Sequence, residues 1–242
     1  MKRRTPAVVV AVCAVAAAAC GGADSRQTLP TGAEAVQLDA ADFTTEIDNP
    51  YWPMAPGSRW VYRERDAGGA EQRVEVTVTN RTKTILGIEA RVVHDVVTED
   101  GQVREDTYDW YAQDADGNVW YLGEDTKEYD NGKVVSTEGS WEAGVDGAQP
   151  GILLPGDPEP GLAYRQEYRK GEAEDAARVL TLDARATVPY GAERDLLLTE
   201  ETTRLEPSVV EQKFYARGVG PVLALTVSGG SDRETLVRFE RR

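Results

Sequence analysis

Of the residues in this 242-residue chain that suit acid–base, nucleophilic or metal chemistry, 42 are Asp or Glu, while histidine and cysteine number one and two. His94 is the single histidine, so a histidine-rich metal cluster or a Ser-His-Asp triad with a spare base is excluded. Asp95 is no local partner for it, because adjacent strand residues point to opposite faces. Asp109, diagonal to His94 across a hairpin, is the expected holder of a structural imidazole. Asp100-Gly101 is a two-residue hairpin turn and sets a register. Glu99 then faces Gln102, Asp95 faces Asp106, His94 faces Thr107 and Val93 faces Tyr108. Like charges placed opposite each other destabilise a sheet, and Arg104 is the neighbour that offsets them. Carboxylates about 5 Å apart also suit retaining glycoside hydrolysis, which makes Asp95 and Asp106 the candidate pair for a carboxylate hydrolase. The chain has no Gly-rich phosphate loop, Cys-x-x-Cys or Gly-x-Ser-x-Gly.

Asp114-x-Asp116-Gly117-Asn118 has the spacing that opens a calcium loop, with Asp125 at the twelfth position. Val119 stands where the loop needs Gly, and Asp125 where a bidentate Glu is usual. A hairpin turn is the expected structure, and no metal or cofactor is assigned. This turn pairs Gln113 with Asn118, Tyr111 with Trp120 and Trp110 with Tyr121. One face then carries Tyr108, Trp110, Tyr121, Val93 and Val97, and the other Tyr111, Trp120, Val92 and Val96. Aromatics on both faces imply that both are covered. Trp110 is expected in the core. Tyr111 and Trp120, with Asp109 beside them, are expected to line a ligand groove.

The elements that must position these residues are strands. Thr84–Glu99, Gln102–Gln113 and Asn118–Gly123 form the central run. Ser58–Arg63 and Gln72–Thr79 precede it, and Asn131-Gly132 closes a further hairpin. Beyond a Gly/Pro-rich connector, strands are expected at Ala163–Arg169, Arg178–Leu182, Arg194–Arg204, Val209–Tyr215, Val219–Ser228 and Thr235–Arg241. Helical periodicity is lacking, with at most one turn at Glu172–Ala177. An internal repeat with an offset of 104 residues relates Pro56-Gly57 to Pro160-Gly161, Trp60 to Tyr164, Gly87 to Gly191, Glu89 to Glu193, and Trp110-Tyr111-Ala112 to Phe214-Tyr215-Ala216. The expected fold is all-β: strongly curved antiparallel sheet in a half-barrel or clam-like form, built from two tandem β units sharing one core. The β domain spans 43–242, with halves of about 43–150 and 151–242.

Lys2-Arg3-Arg4, an apolar run from Pro6 to Ala19 and small residues before Cys20 make a secretory signal over 1–19. The run is short for a membrane span. Cys20 is the expected lipidation site, and residues 20–42 a flexible tether; cleavage after Ala19 with plain secretion is the alternative. Cys13 leaves with the signal, so the exported body carries no disulfide. The body keeps 24 basic against 42 acidic residues. Such a charge opposes nucleic acid and favours cationic partners.

The order of basic, apolar and small residues before Cys20 resembles the lipobox of bacterial lipoproteins, with Ala17 where Leu is usual. Pro-Gly-x-x-Trp-Val-Tyr at Pro56–Tyr62, Tyr-Ala-x-Gly-Val-Gly at Tyr215–Gly220 and Asp48–Pro53 resemble a family of uncharacterised exported bacterial lipoproteins. That resemblance implies a lipid-anchored protein on the extracytoplasmic face of the cell membrane and carries over no catalytic residue. A curved sheet on a tether is also similar to LolA/LolB-type carriers. The expected role is non-enzymatic: binding a lipid or other apolar ligand, with docking of another envelope protein as the alternative.

Overall fold

The computed structural model describes residues 28–65 and 68–242. Cys20 and the signal segment lie outside the described residues. A single 3-10 turn, Ala40–Asp42, is the only helical element among the described residues. The strands are β1 (Phe43–Thr44), β2 (Arg59–Arg65), β3 (Glu71–Ile85), β4 (Ile88–Glu99), β5 (Gln102–Asp114), β6 (Val119–Asp130), β7 (Lys133–Ser136) and β8 (Trp141–Glu142). They continue as β9 (Gln149–Leu154), β10 (Ala163–Arg165), β11 (Glu167–Tyr168), β12 (Asp175–Val188), β13 (Gly191–Thr203), β14 (Val210–Ala216), β15 (Gly220–Ser228) and β16 (Arg233–Glu240).

All pairings are antiparallel, and β12-β13-β14-β15-β16-β2-β3-β4-β5-β6-β9 follow one another in a continuous sheet. Residues 163–168 join its two ends. β10 pairs with β12 on one side, and β11, one residue further on, pairs with β9 on the other. The sheet is thereby nearly closed into a barrel, which leaves few exposed edges. Turn chemistry drives the meander. Asp100-Gly101 and Asn131-Gly132 both adopt the two positive φ angles of a type I′ hairpin. Leu86-Gly87 does the same, with φ of 52° and 82°. This turn divides the expected strand Thr84–Glu99 into the end of β3 and all of β4. Leu is a poor residue for the left-handed region, so no turn was legible there. The expected helical turn at Glu172–Ala177 is a backbone turn followed directly by β12.

The repeat is visible in the backbone. Ala55–Ser58 and Glu159–Leu162 form equivalent turns, with Ser58 N donating to Ala55 O and Leu162 N to Glu159 O, each at 3.0 Å. Gly57 and Gly161 take φ of 88° and 91°, as the third position of a type II turn requires. Their N–H groups donate to Val78 O and Val179 O, each at 2.8 Å. Glu71 and Asp175, which open β3 and β12, are 104 residues apart. The halves share one core cluster, with Trp60 and Tyr164 both fully buried. Trp52 lies between the repeat-related Tyr111 and Tyr215, with ring centres 6.3 and 6.2 Å away. Asn49 fixes the approach to Trp52: its side chain donates to Gly117 O and Pro155 O and accepts from Tyr51 N.

Two bulges change the register expected from the turns. Glu99 does face Gln102, but Arg104 is an extra residue between Val103 and Glu105. Asp95 therefore faces Thr107, His94 faces Tyr108, and Val93 faces Asp109. Asn118 stays in its turn, so Gln113 pairs with Val119 and Tyr111 with Tyr121. Leu122 is then extra, and Trp110 faces Gly123. Each bulge adds one residue to one strand, which simple counting from a turn cannot detect. Residues 28–42, expected within the tether, run against the barrel. Pro30 is buried and its carbonyl accepts from Arg165 N at 2.6 Å, while the Arg165 guanidinium reaches Gly32 O and Glu34 O.

Candidate functional site

The corrected register sorts the side chains by face. Val93 and Asp95 on β4, Asp109 and Tyr111 on β5, and Tyr121 and Glu124 on β6 point into the barrel. His94, Tyr108, Trp110 and Trp120 point outward. Asp106 also faces outward, where its Oδ1 lies 2.9 Å from His94 Nε2. The imidazole stacks on Tyr108 with ring centres 4.3 Å apart. Asp106 therefore holds His94, in place of the expected Asp109. Asp95 and Asp106 stand on opposite faces and form no hydrolytic pair.

Inside the barrel lies a cavity of about 360 Å³ to which both halves contribute. Trp52, Tyr62, Tyr111, Tyr121 and Tyr215 supply its rings. Six carboxylates line it: Asp95, Glu124, Glu167, Asp175, Glu201 and Glu234. Lys213 is its one base among the described residues. Asp109 stands just behind the rings. Its Oδ1 accepts from Tyr121 Oη at 2.7 Å, and the same hydroxyl lies 3.0 Å from Glu124 Oε2. The bulge at Leu122 is what brings Tyr121 and Glu124 to the same face despite their odd spacing.

Electrostatics differ around the wall. Lys213 Nζ is 2.8 Å from Glu201 Oε2, and Thr199 and Tyr215 donate their hydroxyls to Glu201 Oε1 at 3.0 and 3.2 Å. The neighbouring negative charge of Glu201 holds the Lys213 ammonium well above its ordinary range, against the opposing effect of burial. Across the cavity the carboxyls have no such partner. Burial, then the charge of Asp109, pushes Asp95 well up. Burial raises Asp109 too, against the hydrogen bonds from Tyr121 and Tyr111. Glu124 rises through burial and the facing Asp109. On the Lys213 side, Glu234 is pushed up to about 7 by burial and by Glu64 opposite it, against the charge of Lys213.

Of the expected ligand residues, Tyr111 lines the cavity and Asp109 sits immediately behind it. Trp120 does not reach it. Its side chain is on the outer face, fully buried, with Phe43 edge-on at 6.1 Å and its indole N–H donating to Asp114 Oδ2 at 2.7 Å. Asp114 also accepts from the N–H groups of Asp116 and Asn118, so the calcium-like spacing serves a turn. Trp110 is outward and 7% exposed, beneath the Lys83 ammonium. Sequence reasoning missed the second-half wall, above all Glu201 and Lys213. The repeat was the signal that could have found them, because Lys213 stands 104 residues after Asp109.

Among the described residues no three acidic, histidine or cysteine side chains converge as a metal site requires. No described helix is long and apolar enough to cross a membrane. No protein-family model and no curated protein matches the chain. Several solved structures are similar at low identity. One is a Bacteroides fragilis protein assigned as exported, with a YmcC-like fold: 13% identity, TM-score 0.49, covering 79% of this chain and 99% of that one. Another is a Parabacteroides distasonis protein assigned as a lipoprotein: 11% identity, TM-score 0.42, covering 78% and 98%. A third is a β-barrel-like protein of a domain of unknown function from Brucella abortus: 13% identity, TM-score 0.36, covering 76% and 96%.

Proposed function

We propose that this is an extracytoplasmic lipoprotein, anchored through Cys20, that holds a compact small molecule inside its barrel and does no chemistry on it. The observation that carries the reading is the interior cavity of about 360 Å³, walled by both halves of the chain. That volume lies at the small end of the roughly 300–1,000 Å³ usual for ligand sites. The rings of Trp52, Tyr62, Tyr111 and Tyr215 offer an apolar body its contacts. The one histidine lies on the outer face, held by Asp106, and brings no imidazole to the cavity. The anchor rests on the basic–apolar–small–Cys order that ends at Cys20. A Cys20→Ser protein is expected in the medium or unprocessed, and a wild-type protein found wholly soluble outside the cell would remove the anchor. Native mass spectrometry of protein purified from its own envelope tests the ligand. One retained small molecule per chain is expected; a uniformly empty barrel contradicts the reading.

A further inference from the structure

We infer that the ligand is a small organic cation, an ammonium on an apolar or aromatic body, seated with its charge against Asp95 and Glu124, with Asp109 behind them. The inference rests on the reading of the cavity as a ligand site and names the chemistry of its occupant. The second half already holds an ammonium, Lys213, on Glu201. The repeat-related position in the first half is Asp109, a carboxylate facing Glu124 across the sheet. One wall therefore carries its own cation, and the other carries acids without one. Asp95 is a lining residue of this cavity, and its Oδ1 is buried with no hydrogen-bond partner among the described residues. Tyr164 is 1% exposed, its hydroxyl is likewise unpartnered, and its residue shares the inward-facing row of Ala177 and Glu201. Buried polar atoms are seldom left so, and of the two Asp95 belongs to a residue that lines the cavity.

A buried carboxyl is either neutralised by a proton or paired with a cation. The raised affinity of these acids for protons is the first of those answers, and a ligand ammonium is the second. The rings beside them also suit a cation, since aromatic faces attract positive charge.

Phenethylammonium and its neutral counterpart 2-phenylethanol are the probes, titrated calorimetrically at pH 7 into the purified full-length processed protein and into Asp95→Asn and Asp109→Asn variants. The wild-type protein should bind the ammonium at least about tenfold more tightly than the alcohol. Each variant, shown folded by near-ultraviolet circular dichroism, should lose that preference. Equal or tighter binding of the alcohol to wild type overturns the inference without recourse to any variant, and so does a preference kept by both variants. If neither probe binds, the molecule retained from the envelope decides. A cation supports the inference; a neutral or anionic molecule defeats it but leaves the ligand reading standing; an empty barrel defeats both.

Discussion

The two halves of the barrel share a backbone plan and differ in the charge of their inner walls. Each begins at a Pro-Gly turn with the same hydrogen bonds, and each brings a tyrosine, Tyr111 or Tyr215, against Trp52. Each tyrosine neighbours an acid inside the barrel, Asp109 or Glu201. At the position two residues before the tyrosine the halves diverge: Asp109 in the first, Lys213 in the second. In the second half Lys213 pairs with Glu201, and its charge also favours ionisation of Asp175 and Glu234. The first half leaves its acids to protons or to a ligand. Shared architecture is thus used for stability, and its asymmetry is where function is sought.

The largest test of the shared plan is loss of the paired anchors. Trp60→Ala and Tyr164→Ala should each cost about 3–5 kcal/mol in denaturant melts, the range for emptying a buried aromatic site. Comparable losses, in one cooperative transition, fit halves that share a core. A Tyr164→Ala loss below about 1 kcal/mol would break the equivalence.

Next is the charge asymmetry. Lys213→Met leaves Glu201 with hydroxyl partners only and should cost about 1–3 kcal/mol at pH 7, as expected when a buried charged group loses its partner. Asp109→Asn keeps an acceptor for Tyr121 and removes a like charge facing Glu124, so at pH 8 it should leave the melting temperature unchanged or raise it. Destabilisation of both variants to the same degree would mean that the walls do not differ in the way the geometry implies.

The pH dependence of stability sharpens the same point. Asp95, Asp109, Glu124 and Glu234 bind their protons more tightly in the folded chain than in the unfolded one. The stability they contribute is whole below the ordinary carboxylate range near pH 4 and is lost as the pH rises through their folded values, about 7 for Glu234. The melting temperature should therefore fall from pH 5 to pH 8, and fall less in Asp109→Asn. A melting temperature that rises over this interval contradicts the assignment.

The smallest expected effects separate the two anchors by their polar atoms. Trp60 Nε1 donates to Val219 O at 2.7 Å, whereas the Tyr164 hydroxyl has no partner among the described residues. Trp60→Phe should cost more than the hydrogen bond alone, about 0.5–1.5 kcal/mol, because ring volume is lost as well. Tyr164→Phe should be neutral or slightly stabilising. A clear loss of stability in Tyr164→Phe would show that the hydroxyl is satisfied after all.

Much of this was legible in the chain itself. Alternating Val74, Val76 and Val78, the Asp-Gly and Asn-Gly turns and the 104-residue offset are local signals, and local physics decides them. The faces were not legible beyond the bulges at Arg104 and Leu122, because one unpaired residue reverses every side chain after it. Gly123 was a clue. Its φ is 134°, and a Cβ there would strike the carbonyl of Trp141. That glycine marks the bulge that sets Trp110 opposite Gly123, whereas Tyr121 comes beside Tyr111 because Asn118 stays in the turn. Lys213 and Glu201 were missed for another reason. Their meeting joins neighbouring strands of a half in which no tight-turn dipeptide fixed the register.

The central claim is that the first-half wall holds desolvated acids without a base of their own. Carbon-13 titration of the side-chain carboxyls, with Asp95, Asp109 and Glu124 assigned by their Asn and Gln variants, reads it directly. All three should titrate well above the ordinary range near pH 4 in the unliganded protein. Ordinary values at all three positions would place them in water and leave the account of the cavity without its foundation.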